Sequence, residues 1–389
     1  PSSRPSSITR SEANKMINDA LTLEIFEALM AQDTINPPGN EKRGALCLKE
    51  IFDREGIPCE VQDLGDNRAN FIASFGEGDK ILEYSGHLDV VPCVGNWQHT
   101  AIGTTEEGDL IYGRGACDMK GGVAAMCSAA ISMFRDKTPL NGQIRLTFVA
   151  DEEDANLGMH AFLDSHKAAT YTILGEPTDL HVAIAHRGVG RYYIDLLGHA
   201  CHAALRSTEE TAVAKAARAV MAIEDLNKQL ESMTHDVLPS PSIVVTMVQG
   251  YEKDNVVPGK VRLLVDFRVL PGMTEPQTRK LVQDALDAHG IVGYELTKHF
   301  FMPGGEVVQA HPFVSACVEQ AEKLNERKEA PQAFGASCEQ CFLVEAGSAT
   351  VIIGPGSLDQ AHTVDEFVEK AQLLRAAKLY REIAMDVLK

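Results

Sequence analysis

Three short apolar runs in the first half of the chain each deliver a chemistry-bearing tip. Ile81-Leu82 leads into S-G-H-L-D with His87 and Asp89, Ile144 to Ala150 leads into D-E-E at Asp151, Glu152 and Glu153, and Thr170 to Leu174 leads into G-E-P around Glu176. Runs this short and apolar read as buried strands. Segments with helical spacing separate them, as in 13–31 (Ile17, Leu21, Ile25, Leu29), 41–55 and the Ala- and Met-rich stretch from Asp118 to about Phe134. Alternating strands and helices predict an α/β fold with a layered sheet. In open sheets of that kind, ligands collect beyond the carboxyl ends of the strands.

The pattern changes at His186. Half-exposed strands are expected over 190–197, 242–248, 261–269 and 294–297, with helices over 208–230 and 275–289 between them. The order β-α-β-β-α-β is the ferredoxin-like plan. A second domain is therefore expected at 186–299, inserted into a first domain made of 1–185 and 300–389. The returning segment carries a helix at 311–326, a strand at 350–353, the turn G-P-G-S, then A-H-T-V-D-E with His362, and a closing helix.

A chain of 389 residues is long for one core, which agrees with two domains. The formal net charge of −19 argues against nucleic acid and anionic membrane surfaces as partners. No apolar run approaches the roughly 20 residues of a membrane helix. The opening PSSRPSSITRSEANK lacks the apolar core of a secretory leader and reads as a disordered tip. Nine cysteines show no regular spacing, and the single C-x-x-C at Cys338 and Cys341 has no second pair, so buried free thiols in a reducing, cytoplasmic setting are expected.

Hydrolysing an amide at neutral pH requires an activated water, a base and charge stabilisation for the oxyanion. Two metals about 3.5–4 Å apart can supply the first and last. Zinc accepts imidazole and carboxylate donors. The candidates are His87, Asp118, Glu153, Glu176 and His362, one imidazole and one terminal carboxylate for each ion with one bridge. Glu152 remains as general base. On a strand, residues two apart share a face, so Asp89 can hold the second ring nitrogen of His87. Each motif alone has a plainer reading: D-E-E as a solvated helix start, G-E-P as a turn, His362 as a surface residue.

The set SGHLDVVP, YGRGACDMKGG, ADEED, GEPTD and GPGSLDQAHTVDE resembles the acetylornithine deacetylase / succinyl-diaminopimelate desuccinylase family of di-zinc amidohydrolases, with LVDFRVLPGMT closest to its acetylornithine deacetylase branch. The resemblance implies a zinc-peptidase-like mixed-sheet catalytic domain whose inserted ferredoxin-like domain is a lid that also forms a homodimer. It implies that His87 and Glu176 bind one zinc, Glu153 and His362 the other, and that Asp118 bridges them next to a cis peptide to Met119. Cobalt or manganese could substitute. Asp89 would orient His87, and Glu152 would shuttle the proton. In G-H-A-C-H, His202 rather than His199 matches the histidine that reaches a partner subunit's site to stabilise the oxyanion. Asn255 and Arg268 match positions that hold a substrate carboxylate. Arg187 stands at the lid hinge where lysine is usual, and Glu339 fits a T-E-A variant that could meet a cationic side chain. The segment AALRSTEETAVAKA after His202 departs from the family pattern. The expected substrate is a small N-acyl-L-amino acid, N-acetylornithine first. The alternatives are a desuccinylase, a dipeptidase or carboxypeptidase, a hydrolase of larger conjugates, and a non-catalytic binding protein.

Overall fold

The computed structural model describes residues 18–205 and 209–389. The expected N-terminal tip and the first turn of the helix expected over 13–31 lie outside them. That helix is seen as Asp19–Met30, where the Asn18 side chain caps the Ala20 N–H and Leu21, Ile25, Phe26 and Leu29 are buried. The chain divides into two compact units, one of residues up to Ile184 together with Val307–Gln332 and Cys338–Lys389, the other of Ala185–Glu306 and Ala333–Ser337.

The first unit is built on a mixed sheet. Its strands lie in the order Cys59–Gly65, Arg68–Glu77, Gly142–Val149, Ile81–His87, Tyr171–Leu174 and Ala349–Ile352. The first two pairings are antiparallel, and the remaining three are parallel. The carboxyl ends of the four parallel strands therefore share one edge, and each runs straight into a loop carrying acid or imidazole. Helix Lys120–Arg135 is buried along almost its whole length. Its N-terminus is crowded against the strand edge: a Cβ at Gly122 would collide with the Gly175 carbonyl oxygen. The Asp118–Met119 peptide just before it is cis, as the resemblance implies.

A small three-stranded sheet that the sequence did not announce joins Thr105–Glu107, Leu110–Tyr112 and Phe367–Glu369. Three-residue strands are too short to show alternation. Its register puts Phe367 opposite Tyr112. The segment before Asp118 is thus hydrogen-bonded to the segment after His362.

The second unit holds a four-stranded antiparallel sheet in the order Ser242–Gln249, Lys260–Val269, Gly188–Leu197, Tyr294–Met302. Helices Ala212–Leu230 and Glu275–Ala288 bury Ala216, Ala219, Ile223, Val282 and Leu286 against Ile194, Leu263, Val265 and Phe267. The helix expected from Thr208 begins at Ala212, capped by Thr211, and residues 206–208 are not described. The unit is wider than 186–299 because its last strand, expected to stop at Thr297, continues past a register shift between Lys298 and Phe300 to Met302. Gly305 and Glu306 then pair with His186 and Ala185.

Candidate metal centre

The four loops at the parallel strand ends converge. His87 is the last residue of its strand, and its Nε2 lies 3.1 Å from Asp118 Oδ1 and 3.7 Å from Glu176 Oε1. His362 Nε2 lies 3.2 Å from Asp118 Oδ2 and 3.2 Å from Glu153 Oε1. Each oxygen of Asp118 therefore faces its own imidazole, and each imidazole has its own glutamate. One donor atom each from His87, Asp118 and Glu153 lies within 4.8 Å of the others. The five residues expected as ligands are all brought together.

The electrostatics of this cluster call for cations. Burial, then the neighbouring Asp118 charge, pushes the Glu176 carboxyl up to about 8. Burial also raises Glu153, and raises Glu152 well above the carboxylate range with help from Glu176 and Glu153. Burial acts on Asp118 in the same direction, but hydrogen bonds from His362 and His87 outweigh it and hold Asp118 low. His362 is pushed up to about 10 by its bonds to Asp118 and Glu153. A half-dry pocket with this many carboxyls and two imidazoles fits a pair of divalent cations, and the nitrogen-and-oxygen donor set is one that zinc accepts.

Backbone geometry at the site is demanding. Asp151 and His362 are non-glycine residues with φ of 69° and 62°. Left-handed backbone at such residues costs of order 1–3 kcal/mol and gathers at functional sites.

Asp89 is fully buried, but it does not hold His87 in the expected way. The ring Nδ1 is 2.9 Å from the Asp89 carbonyl oxygen and 3.6 Å from its carboxylate. Asp89 lies beyond the end of the strand, so the same-face argument does not reach it. Its carboxylate instead accepts the backbone N–H groups of Glu152 and Glu153, both at 3.1 Å, and the Asn36 amide at 2.9 Å. Asn36 in turn meets Arg68 and Asp151, and Arg68 pairs with Glu41.

Glu339 is fully buried just before the short helix Gln340–Glu345, and neither carboxylate oxygen has a hydrogen-bond partner among the described residues. Burial raises it well above the usual range, against the pull of His87 and with help from Asp89 and Glu176. His202, Asn255, Arg187 and Arg268 belong to the second unit. His202 Nδ1 accepts the Ala204 N–H, and its Nε2 lies 3.2 Å from the Asn255 side-chain amide nitrogen. Arg268 is paired with Asp266, which also takes Arg191. Arg187 donates to the Ser240 carbonyl and Ser242 hydroxyl. His199 lies in the loop before the two-residue strand Cys201–His202.

Sequence reasoning missed Glu366, Arg114, Asn36 and Arg68. Glu366 and Arg114 are buried as a pair. The only sequence signal was an acid four residues after His362 and an arginine inside G-R-G, four before Asp118.

Residues 84–386 match the model of Peptidase family M20/M25/M40. The chain belongs to this family. As an M20 member it is a metal-dependent amidohydrolase. It is 29% identical over 368 residues to the acetylornithine deacetylase of Vibrio atlanticus, covering 89% of this chain and 93% of the relative, and 28% identical over 365 residues to that of Vibrio cholerae with the same coverage. Among solved structures, a tripeptidase from Staphylococcus aureus superposes with a TM-score of 0.80 at 20% identity, covering 96% and 99% of the two chains. An M20 metallo-carboxypeptidase from Sulfolobus solfataricus gives 0.76 at 19%, covering 94% and 98%. A dinuclear metal-binding M20 peptidase from Bacillus subtilis gives 0.73 at 15%, covering 95% and 98%. At these identities the structural likeness speaks for the fold. No helix among the described residues is long and apolar enough to cross a membrane.

Proposed function

We propose that this M20 enzyme is a cytoplasmic two-zinc deacylase of small N-acyl-L-amino acids, with N-acetylornithine as the leading substrate. The observation that carries the reading is the placement of Asp118, each of whose oxygens meets a separate imidazole–carboxylate pair, His87 with Glu176 and His362 with Glu153. These five residues would hold the zinc ions, which when bound supply Lewis acidity for the acyl carbonyl and ease deprotonation of water.

Glu152 is the proton carrier. Its main chain is fixed by Asp89, and its carboxyl is raised by burial and neighbouring acids. A raised carboxyl accepts a proton from water and can return it to the departing amine at neutral pH. Arg268, Asn255 and Arg187 would hold the substrate carboxylate, since guanidinium matches carboxylate geometry. An imidazole N–H from His202 would donate to the developing oxyanion, and the family pattern would bring it from the second copy of a homodimer.

Glu339 favours a substrate with a cationic side chain, because a buried carboxyl with no hydrogen-bond partner among the described residues is costly to ionise until a cation arrives to meet it. The test is a panel of N-acetyl, N-succinyl and dipeptide substrates presented to zinc-loaded and chelated protein. N-acetylornithine should rank above N-acetylleucine, and Glu339→Gln should narrow that gap. Full turnover after exhaustive chelation would overturn the reading. A preference for dipeptides would move the assignment to a dipeptidase on the same site.

A further inference from the structure

Glu366 stands four residues after His362, immediately before the strand Phe367–Glu369 that pairs with Leu110–Tyr112. Its side chain is completely buried. Oε1 accepts three backbone N–H groups from the loop that ends at Asp118: Gly115 at 3.1 Å, Cys117 at 2.9 Å and Asp118 itself at 3.0 Å. Oε2 pairs with the Arg114 guanidinium. The Glu366 carbonyl accepts a fourth N–H, from Gly113, at 2.9 Å. Five contacts thus fasten residues 113–118 to a single residue on the His362 loop.

These contacts do more than join two loops. Asp118 Oδ2 lies 3.2 Å from His362 Nε2 while Oδ1 faces His87, so the depth of Asp118 decides whether it serves both imidazoles. Asp118 reaches the site from a loop with no regular secondary structure between Tyr112 and Lys120. Nothing in the strand ladder fixes its depth. A carboxylate gripping the Asp118 N–H itself does, and it measures that depth from the same loop that carries His362.

We propose that Glu366 is the positioning residue for Asp118: by accepting the Gly115, Cys117 and Asp118 N–H groups it sets the Asp118–His362 spacing on which a two-cation site depends. The inference rests on the two-cation reading given above. It is a claim about acceptor reach rather than charge, and that separates it from a merely structural ion pair with Arg114.

The experiment compares Glu366→Asp with Glu366→Gln. Aspartate keeps the charge but withdraws the acceptor by about 1.5 Å, one carbon–carbon bond. Glutamine loses the charge but leaves an oxygen in place. Cobalt titration of metal-free protein, with chelator competition and paramagnetic coupling of the bound pair, reads the site directly. Thermal unfolding of the same samples reads the structural cost. The proposal expects Glu366→Asp to weaken binding of the cation pair 10-fold or more and to change the coupling. Glu366→Gln should bind two cations within about 3-fold of the unmodified protein, whatever its melting temperature. Metal order following melting order, with glutamine the worse in both, would overturn the proposal. So would an aspartate variant with unchanged affinity and coupling.

Should either variant fail to fold, amide exchange in the unmodified, metal-free protein decides. Slow exchange at Cys117 and Asp118 is expected, and exchange at the rate of an open loop overturns the proposal. If the unmodified protein binds no cation pair, the two-cation reading fails instead, and the two failures stay distinct.

Discussion

Asp89 meets His87 through its main-chain carbonyl oxygen, 2.9 Å from Nδ1, while its carboxylate stands 3.6 Å off. The carboxylate is already engaged by the N–H groups of Glu152 and Glu153. Asp89 therefore sets the ring with one group and the acid pair with the other. In Asp89→Asn only one oxygen remains to accept, so one of the two N–H groups loses its partner. Turnover and metal affinity should each fall about 10- to 100-fold, measured by steady-state kinetics and chelator competition. Unchanged values for both would remove this role.

Glu152→Gln should bind two metal ions as the parent does and lose on the order of 10²–10⁴ in kcat, the usual share of general acid–base catalysis. Metal content and kcat on one preparation check this. A fast variant would reassign the base.

In the metal-free protein His362 is raised to about 10 and Glu176 to about 8, the first by its bonds to Asp118 and Glu153, the second by burial. Both shifts are upward, so what these groups add to apo stability is full at low pH. It fades as pH climbs through those values. Metal affinity must run the other way, since each cation displaces those protons. Calorimetry at pH 7 in buffers of different ionisation enthalpy should report on the order of two protons released per chain. Release near zero would contradict the protonation described.

Glu41 is fully buried, with one oxygen on Arg68 and the other unpartnered among the described residues, and burial raises it from 4.5 to about 7. The folded state then holds a proton that the unfolded chain gives up earlier. The stability from this group is whole below pH 4.5 and is lost as pH rises through 7. Glu41→Gln should gain on the parent by roughly 2–3 kcal/mol between pH 4.5 and pH 8. Denaturant unfolding of metal-free protein at the two pH values checks it.

Arg268→Ala should raise KM for N-acyl amino acids roughly 10-fold or more, as expected for a charge-assisted bond. Substrates with the carboxylate masked as an amide should be insensitive. Equal loss on both substrates would return Arg268 to its plainer part, the ion pair with Asp266.

The strand-end donors were legible because continuous apolar runs such as 144–150 mark buried strands, and a buried strand must carry its next few residues to the sheet edge. His362 was less legible, since it stands ten residues beyond the end of its strand, Ala349–Ile352, where the apolar run no longer says which way a side chain turns. Glu366 was not legible at all. In V-D-E the two acids look alike, yet Asp365 binds the Gln98 and His99 N–H groups while Glu366 is wholly buried. Only the three-residue strand beginning at Phe367 sets which of the two turns inward. The true partners of the Asp89 carboxylate were hidden as well, because the strand stops at His87 and takes its two-residue period with it.

The parallel pairing of Tyr171–Leu174 with Ala349–Ile352 has a bearing on biosynthesis. A growing polypeptide emerges in order from its amino end. His87, Asp118, Glu153 and Glu176 are all translated before the second unit, and His362 only after it. A nascent chain that has not reached His362 exposes an acid-rich half-site with a single imidazole. The five-donor cup is therefore complete only once the late strand Ala349–Ile352 and the loop beyond it have been made.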